Sequence, residues 1–525
     1  MKMKVMKNKI MILGALLLLV MVTSCREESD AVQNYVFNDG QAFKEAKESY
    51  AGKFKVLWKA LDQNYAIWDY ERSLGVDWDA VYDEFLPKYE ALDERDDVTD
   101  DELKKLLEET LAPLHDGHFA AEMQNHQTGN FVMVSPSHMR NEQRSDYEAS
   151  ALYTSHDMSA YLPAEYGGTG NQILEYKVAN TQNVGILKTA YNTPGIGRLW
   201  AKDHVNDPTL ADYQKHALQD FITNFDNLYN QLLNGLNLAT GLQMYDQLVA
   251  DNQYLKIPGL IPSSTFGNKG IAVKYAHFKD NIAYLYFSGF YLSAYLDDDC
   301  SKAMFGNLDP VAEQLAQAVG QVWQAWFDKV QELRASGQLK AVIIDVRGNS
   351  GGMLNDFQYV LGSMLPSGGF EVGLSRFKRG VGRYDYSPLV PFKVPTLETA
   401  HEIITEPIVV LANCGSVSMA EITSLSCKQL SNGTLIGKRT HGGLCSLQSD
   451  PSVYYENYSG IVGVRYQTPV WLYIPHMVTM SKDKQLFEGV GVTPDIDVDF
   501  DITLSQTTGR DTQLDRALQY LRTGN

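Results

Sequence analysis

An α/β core behind a helical N-terminal region, with a mixed insert between them, is the fold class that this sequence predicts. Three observations carry it. Beyond about residue 270, solid apolar runs such as Ile282–Phe287 and Ala341–Val346 alternate with helical stretches. That is the pattern of a sheet covered on both faces. Between residues 42 and 114, apolar side chains instead recur at spacings of three and four, one face of a helix at a time. The chain has 525 residues, 44% hydrophobic and 11% aromatic, which is enough for more than one core.

The first residues read as an address. Lys2, Lys4, Lys7 and Lys9 precede an apolar run from Ile10 to Val22. The run is shorter than the roughly 20 residues of a bilayer-spanning helix, so it reads as a secretory signal. Val22-Thr23-Ser24-Cys25 resembles a bacterial lipoprotein processing box, and Arg26-Glu27-Glu28 resembles the export signals of Bacteroidetes-type surface lipoproteins. The resemblance implies a signal peptide over 1–24, a lipid-modified Cys25 and a polar tether over 25–40. It also implies an outer-membrane lipoprotein facing the periplasm or the cell surface, held by more than one acyl chain.

A helical domain is expected over 41–118. Phe54, Leu57, Trp58 and Leu61 mark one helix, and Trp78, Val81, Phe85 and Leu86 a second. Thr99-Asp100-Asp101-Glu102 opens a third as a capping box ahead of Leu103, Leu106, Leu107 and Leu111. Residues 119–269 read as a mixed α/β insert, with strands near 131–134 and 179–188 and a helical stretch over 211–256. The α/β core is placed at 270–505. Its strands are expected at 282–287, 341–346, 408–412 and 434–436, and its helices at 309–336, 357–365 and 418–430. Residues 506–525 close the chain as a helix.

Composition excludes several classes of function. With 64 acidic against 45 basic side chains, the net charge of −19 disfavours general nucleic-acid binding. Five cysteines without a Cys-x-x-Cys pair make neither a disulfide scaffold nor a common structural zinc site. His115 and His118 flank Asp116, but no third metal ligand is marked in sequence. Cys414, Cys427 and Cys445 read as small buried residues, with a Cys414–Cys445 disulfide left open.

Two segments carry chemistry. Val409–Ala412 ends a buried strand, Asn413–Val417 makes a turn of small residues, and a helix starts at Ser418. A serine there presents its hydroxyl at a helix N-terminus, where backbone N–H groups stabilise an oxyanion. The plainer alternative is an N-cap closed by Glu421. The second segment, Asp345-Val346-Arg347-Gly348-Asn349-Ser350-Gly351-Gly352, also leaves a buried strand, and its glycines expose backbone N–H groups.

Together these segments resemble the S41 serine peptidases, the C-terminal processing or tail-specific protease family. Gly437-Lys438-Arg439-Thr440-His441-Gly442-Gly443, Phe487 to Ile496, and the upstream His115-Asp116-Gly117-His118 resemble further motifs of that family in the same order. The resemblance implies a ClpP/crotonase-like core. The lysine of the Ser–Lys branch falls on Gly443, and Lys438 lies elsewhere in the turn. The chain is therefore closer to the tricorn-core-like Ser-His-Glu branch, with His118 and Glu488 in those places. That branch has a hydroxyl residue beside the histidine, where this chain has Gly117. No carboxylate-binding loop of a PDZ domain is visible in 119–269.

The implied function is an extracytoplasmic serine endopeptidase. Ser418 is the nucleophile, His118 the base and Glu488 the acid that orients the imidazole and stabilises its charged form, which should raise its pKa. The Met419 N–H and a Gly351 or Gly352 N–H form the oxyanion hole. The partners are a protein or peptide substrate and a lipid anchor, with no nucleic acid, cofactor or metal; the sequence leaves the oligomeric state open. The alternative is a non-catalytic peptide-binding or scaffold lipoprotein on the same fold. A glycan-binding surface protein is a third class, suggested only by the address and the aromatic residues.

Overall fold

The computed structural model describes residues 44–524 except 45, 148–155, 183–196, 235, 258–259, 261, 264–269, 306–309, 381, 446–460, 464, 467 and 476. The signal segment, Cys25 and the tether lie outside the described residues. Among those described, no helix is long and apolar enough to cross a membrane.

The chain divides into two units that do not follow its order. The first contains residues 1–148, 371–393 and 439–493. Its helices form where the apolar spacing places them, at Tyr50–Asn64, Trp78–Asp93 and Asp100–Leu111. Asp77 caps the second through the Asp79 and Ala80 N–H groups, and the Thr99 hydroxyl accepts from the Glu102 N–H of the third. The Glu102 carboxylate pairs with Arg95 instead of closing the box. These helices bury Phe54, Leu57, Trp68, Trp78, Leu103 and Leu107 in one core with Met123, Val132, Val470, Leu472 and Val478. The latter group comes from two antiparallel sheets. One runs in the spatial order Ile461–Val462, Val470–Tyr473, Ala120–Gln124, Phe131–Val134, and the other Met477–Ser481, Phe370–Phe377, Val390–Val394.

The second unit contains residues 149–370, 394–438 and 494–525. A seven-stranded sheet runs through it in the order Ile496–Asp497, Gly433–Gly437, Ile408–Ala412, Ala341–Asp345, Ile282–Phe287, Ala272–Phe278, Ile173–Asn180. The first five are parallel and the last two antiparallel. Every residue of 282–287, 341–345 and 408–412 is buried, as continuous apolar strands require. Val409 and Leu411 meet Leu514, Ala517, Leu518 and Leu521 of the C-terminal helix Thr512–Thr523 in one cluster. Strand alternation turns Val410 and Ala412 to the other face. The helices Asp212–Leu233 and Leu238–Asn252, broken at 234–237, make a separate core from Leu218, Phe221, Phe225, Tyr245 and Leu248.

The ClpP/crotonase-like core expected over 270–505 needs correction. The sheet takes its edge strand from Ile173–Asn180, which is held antiparallel to Ala272–Phe278. Residues 371–393 and 439–493 belong to the other unit, because Phe370–Phe377 pairs with Met477–Ser481 and Val478 is buried in the helical core. The helix expected at 357–365 is two short 3-10 segments, Leu354–Tyr359 and Leu361–Met364, parted at Val360 (φ −113°, ψ −109°).

One buried network fixes the end of the central strand. Arg347, wholly buried, donates from Nε to Asp345 Oδ1 (2.9 Å) and from Nη1 to Asp511 Oδ1 and Gln513 Oε1, both at 2.9 Å. Asp511 also caps the C-terminal helix. Truncating Asp511 leaves the buried Arg347 charge with Asp345 as its one remaining paired carboxylate among the described residues and removes the helix cap. Asp511→Ala is therefore expected to cost about 3 kcal/mol, read as a lower urea midpoint for unfolding of the sheet unit.

Candidate active site

Ser418, Met419, Gly351 and Gly352 lie in the sheet unit; His118 and Glu488 lie in the helical unit.

In the sheet unit two loops leave adjacent parallel strands, Ala341–Asp345 and Ile408–Ala412, with Asp345 opposite Leu411, one residue before the second strand ends. Side chains join them. The Ser416 hydroxyl donates to the Val346 carbonyl (2.7 Å), and Asn413 Oδ1 accepts the Gly348 and Gly415 N–H groups, both at 3.0 Å. The Val417 N–H donates to the Asn349 carbonyl at 3.0 Å. These bonds bring Gly351 against Ser418. A Cβ on Gly351 (φ +85°) would lie 2.5 Å from Ser418 Cβ and 3.0 Å from the Met419 nitrogen. Only glycine fits there.

Ser418 begins the helix Met419–Lys428 with φ +58° and ψ −116°, a conformation that side chains disfavour. The N-cap alternative is half realised. Glu421, fully buried, accepts the Ser418 N–H at 3.2 Å, and the Glu421 N–H donates to the Ser418 carbonyl at 2.9 Å. The Ser418 hydroxyl makes no capping hydrogen bond. Of the two candidate glycine donors, the Gly351 N–H is spent on Asn349 Oδ1 at 2.9 Å. Lys438 is paired with Asp497 and Asp499, each at 2.9 Å. Burial opposes its charge, but the two carboxylates outweigh burial and raise its pKa, so it cannot act as a base.

In the helical unit the turn 115–118 is set by backbone N–H groups donating to buried carboxylates. Glu488 Oε1 accepts from Gly117 (2.7 Å), and Oε2 accepts from Leu444 (2.9 Å) and Cys445 (2.7 Å). Glu71 takes both the His115 N–H (2.7 Å) and His115 Nδ1 (2.8 Å), so His115 is occupied in structure. Gly117 packs on the segment 442–443: a Cβ there would meet the Gly442 carbonyl oxygen at 2.0 Å. That contact leaves no room for a side chain at position 117.

Glu488 reaches the residue before His118 but makes no hydrogen bond with the imidazole among the described residues. His118 is partly exposed as a residue, yet its Nδ1 is buried without a hydrogen-bond partner among the described residues. The expected rise of its pKa by Glu488 is reversed. Burial, and then the nearby His441, push it down to about 4, and the Cys445 backbone opposes this only in part. His441, which the sequence reading gave no role, thus shapes the base; its place in Thr440-His441-Gly442-Gly443 was the available signal. Among the described residues Cys300, Cys414, Cys427 and Cys445 form no disulfide, so the Cys414–Cys445 pairing left open is not made.

Residues 314–498 match the family model of Peptidase family S41. The match supports a serine-peptidase-like hydrolytic function in general and a protein or peptide as substrate. No curated protein matches the chain. Among solved structures, a Parabacteroides merdae protein described as a candidate peptidase is 17% identical, with a TM-score of 0.49, covering 91% of this chain and 98% of that one. Mature CPAF complexed with lactacystin is 14% identical, with a TM-score of 0.45, covering 91% and 100%. Neither likeness is close enough to bear on function. The S41 match, with the mixed and interrupted sheet, replaces the ClpP/crotonase-like expectation with the tail-specific-protease type of fold.

Two substitutions test this geometry. In Glu488→Gln, an amide NH₂ must face a backbone N–H on one side or the other, because both carboxylate oxygens already accept. The loss is expected to be about 1–3 kcal/mol, measured as a fall in chemical stability of the helical unit. Gly117→Ser should not restore a useful hydroxyl. Its Cβ overpacks against backbone, at a cost of about 1–3 kcal/mol; a variant as stable as the parent would show that the 117–442 contact yields freely.

Proposed function

We propose that this chain is an extracytoplasmic serine endopeptidase of the Ser-His-Glu kind, acting through an acyl-enzyme on Ser418. The observation that carries the reading is the Ser418 turn. A serine sits in a backbone conformation suited to glycine, its hydroxyl takes no part in the helix cap, and a glycine that admits no Cβ lies against it. An ordinary N-cap serine has an extended backbone and a committed hydroxyl.

In this reading the Ser418 oxygen attacks the peptide carbonyl carbon while its proton passes to His118. The tetrahedral oxyanion is held by the Met419 N–H at the start of a helix and by the Gly352 N–H. His118 then returns the proton to the leaving amine, and water repeats the sequence to free Ser418. A histidine held neutral by burial enters the reaction as a base without first losing a proton. Glu488 shapes the histidine turn through the Gly117 N–H and contributes negative charge to it. The lipid anchor on Cys25 and a site of action outside the cytoplasm belong to the same proposal. They rest on the basic region, the short apolar run and the Val22–Cys25 box.

Ser418→Ala removes the nucleophile and little volume. It should leave the fold intact and abolish hydrolysis of an unstructured protein; turnover equal to that of the parent would rule out this nucleophile. Peptide binding without turnover in the parent would favour the scaffold alternative.

The pH profile tests the base. With its pKa depressed, His118 stays neutral well below the ordinary histidine range, so kcat/KM should hold on acidification and fall only as pH drops toward about 4. Stability follows the same sign: the neutral imidazole's contribution is full above the unfolded value and is lost as pH falls through the folded one. An acid limb centred near the reference value of about 6.5 would count against the buried state of His118.

A further inference from the structure

Three carboxylates in the helical unit, Glu71, Asp116 and Glu488, are wholly buried, and between them they accept the backbone N–H groups of residues 115, 117, 118 and 119. Their oxygens are not equally supplied. Glu71 Oε1 accepts from Tyr65 and from the His115 N–H (2.7 Å each), and Oε2 meets His115 Nδ1. Both oxygens of Glu488 accept backbone N–H groups. Asp116 Oδ1 accepts the His118 N–H (2.7 Å) and the Phe119 N–H (2.8 Å), but Asp116 Oδ2 is buried with no partner among the described residues.

An ionised carboxylate has acceptors only, and a bare anionic oxygen in a dry site is far more costly than an unpaired hydroxyl. A proton in this cluster therefore belongs on the oxygen that no donor reaches. We propose that Asp116 is a positioning residue that works as a neutral carboxylic acid: its Oδ1 holds the His118 turn, and its protonated Oδ2 lets Glu488 remain ionised beside it. This rests on the proposed role of His118, although the state of Asp116 is read independently of it.

The surroundings agree. Burial, and then the charge of Glu488, push Asp116 well above the usual carboxylate range, against the pull of the His118 and Phe119 N–H groups. Burial raises Glu488 as well, and the Cys445, Gly117 and Leu444 N–H groups offset part of that rise. The other titratable groups facing the pair are Glu71, Tyr65 and Tyr70, Arg140 on the helix Pro136–Asn141, the buried Cys445 thiol, and His118 itself. Of these only Arg140 carries a positive charge at neutral pH. One of its N–H groups donates to the Leu114 carbonyl, and among the described residues it forms no ion pair with Asp116.

Asparagine reproduces the protonated acid: its oxygen can accept the two N–H groups and its NH₂ occupies the place of Oδ2–H. Three measurements on the full chain test the assignment. The infrared carbonyl band of a buried protonated carboxyl should be present in the parent at neutral pH, lost in Asp116→Asn and retained in Glu488→Gln. Thermal stability should separate the parent from Asp116→Asn increasingly as pH rises. A folded pKa above the unfolded value contributes stability below the unfolded pKa and loses it through the folded one, and asparagine has no such loss. Asp116→Ala should lower kcat at least tenfold with KM little changed, and Asp116→Asn should recover most of that loss. Absence of the band, its survival in Asp116→Asn, or an Asp116→Asn protein as unstable as Asp116→Ala would overturn the proposal. The spectroscopic and stability results stand even if Ser418→Ala shows that Ser418 is not the nucleophile.

Discussion

The in-register pairing of Ala341–Asp345 with Ile408–Ala412 is the constraint on which the sheet unit's chemistry depends. Parallel strands that end within one residue of each other release their loops side by side at one sheet edge, where ligands of open α/β sheets bind. Here the loops are joined by Asn413, Ser416 and Asn349, all buried, so the N–H groups near Ser418 are aimed by side chains that are themselves fixed. Arg347 continues the chain of support from Asp345 to the cap of the C-terminal helix. A residue more than 90 positions past Ser418 is thus bound into the loop that presses on it.

The helical unit solves a different problem with a different material. Its turn at 115–118 has no strand ladder to hold it, and backbone N–H groups buried without partners would be costly. Carboxylates supply the acceptors. Charge concentrated in a dry site would repel itself, which is why the supply of donors to each oxygen matters and why a proton is retained. The same dryness lowers the affinity of His118 for a proton. One environment thus moves an acid and a base in opposite directions, each toward its neutral form.

Local pattern made much of the architecture legible. Thr99 marked its helix start to the residue, and the solid runs at 282, 341 and 408 marked buried strands, because both signals depend on neighbours in sequence. The Ser418 turn was legible as a strand, small residues and a helix. What escaped detection depends on distant partners. Pairing of Phe370–Phe377 with Met477–Ser481 joins segments about a hundred residues apart, and no spacing rule reports it. Glu71 had no motif and Asp116 lay inside the histidine motif with no role of its own, since accepting a backbone N–H demands only a carboxylate in the right place. The depressed pKa of His118 could not be anticipated from Glu488 alone, because burial decides its sign and burial is a property of the whole unit.

The backbone at Ser418 has one further implication. A non-glycine residue at φ +58°, ψ −116° holds strain on the order of 1–3 kcal/mol that glycine would release. A library selected only for thermal endurance should therefore drift to glycine at position 418, while one selected for function should not. The serine records a choice made against the comfort of the fold, and thermostabilising this protein by screening blind to activity would erase it first.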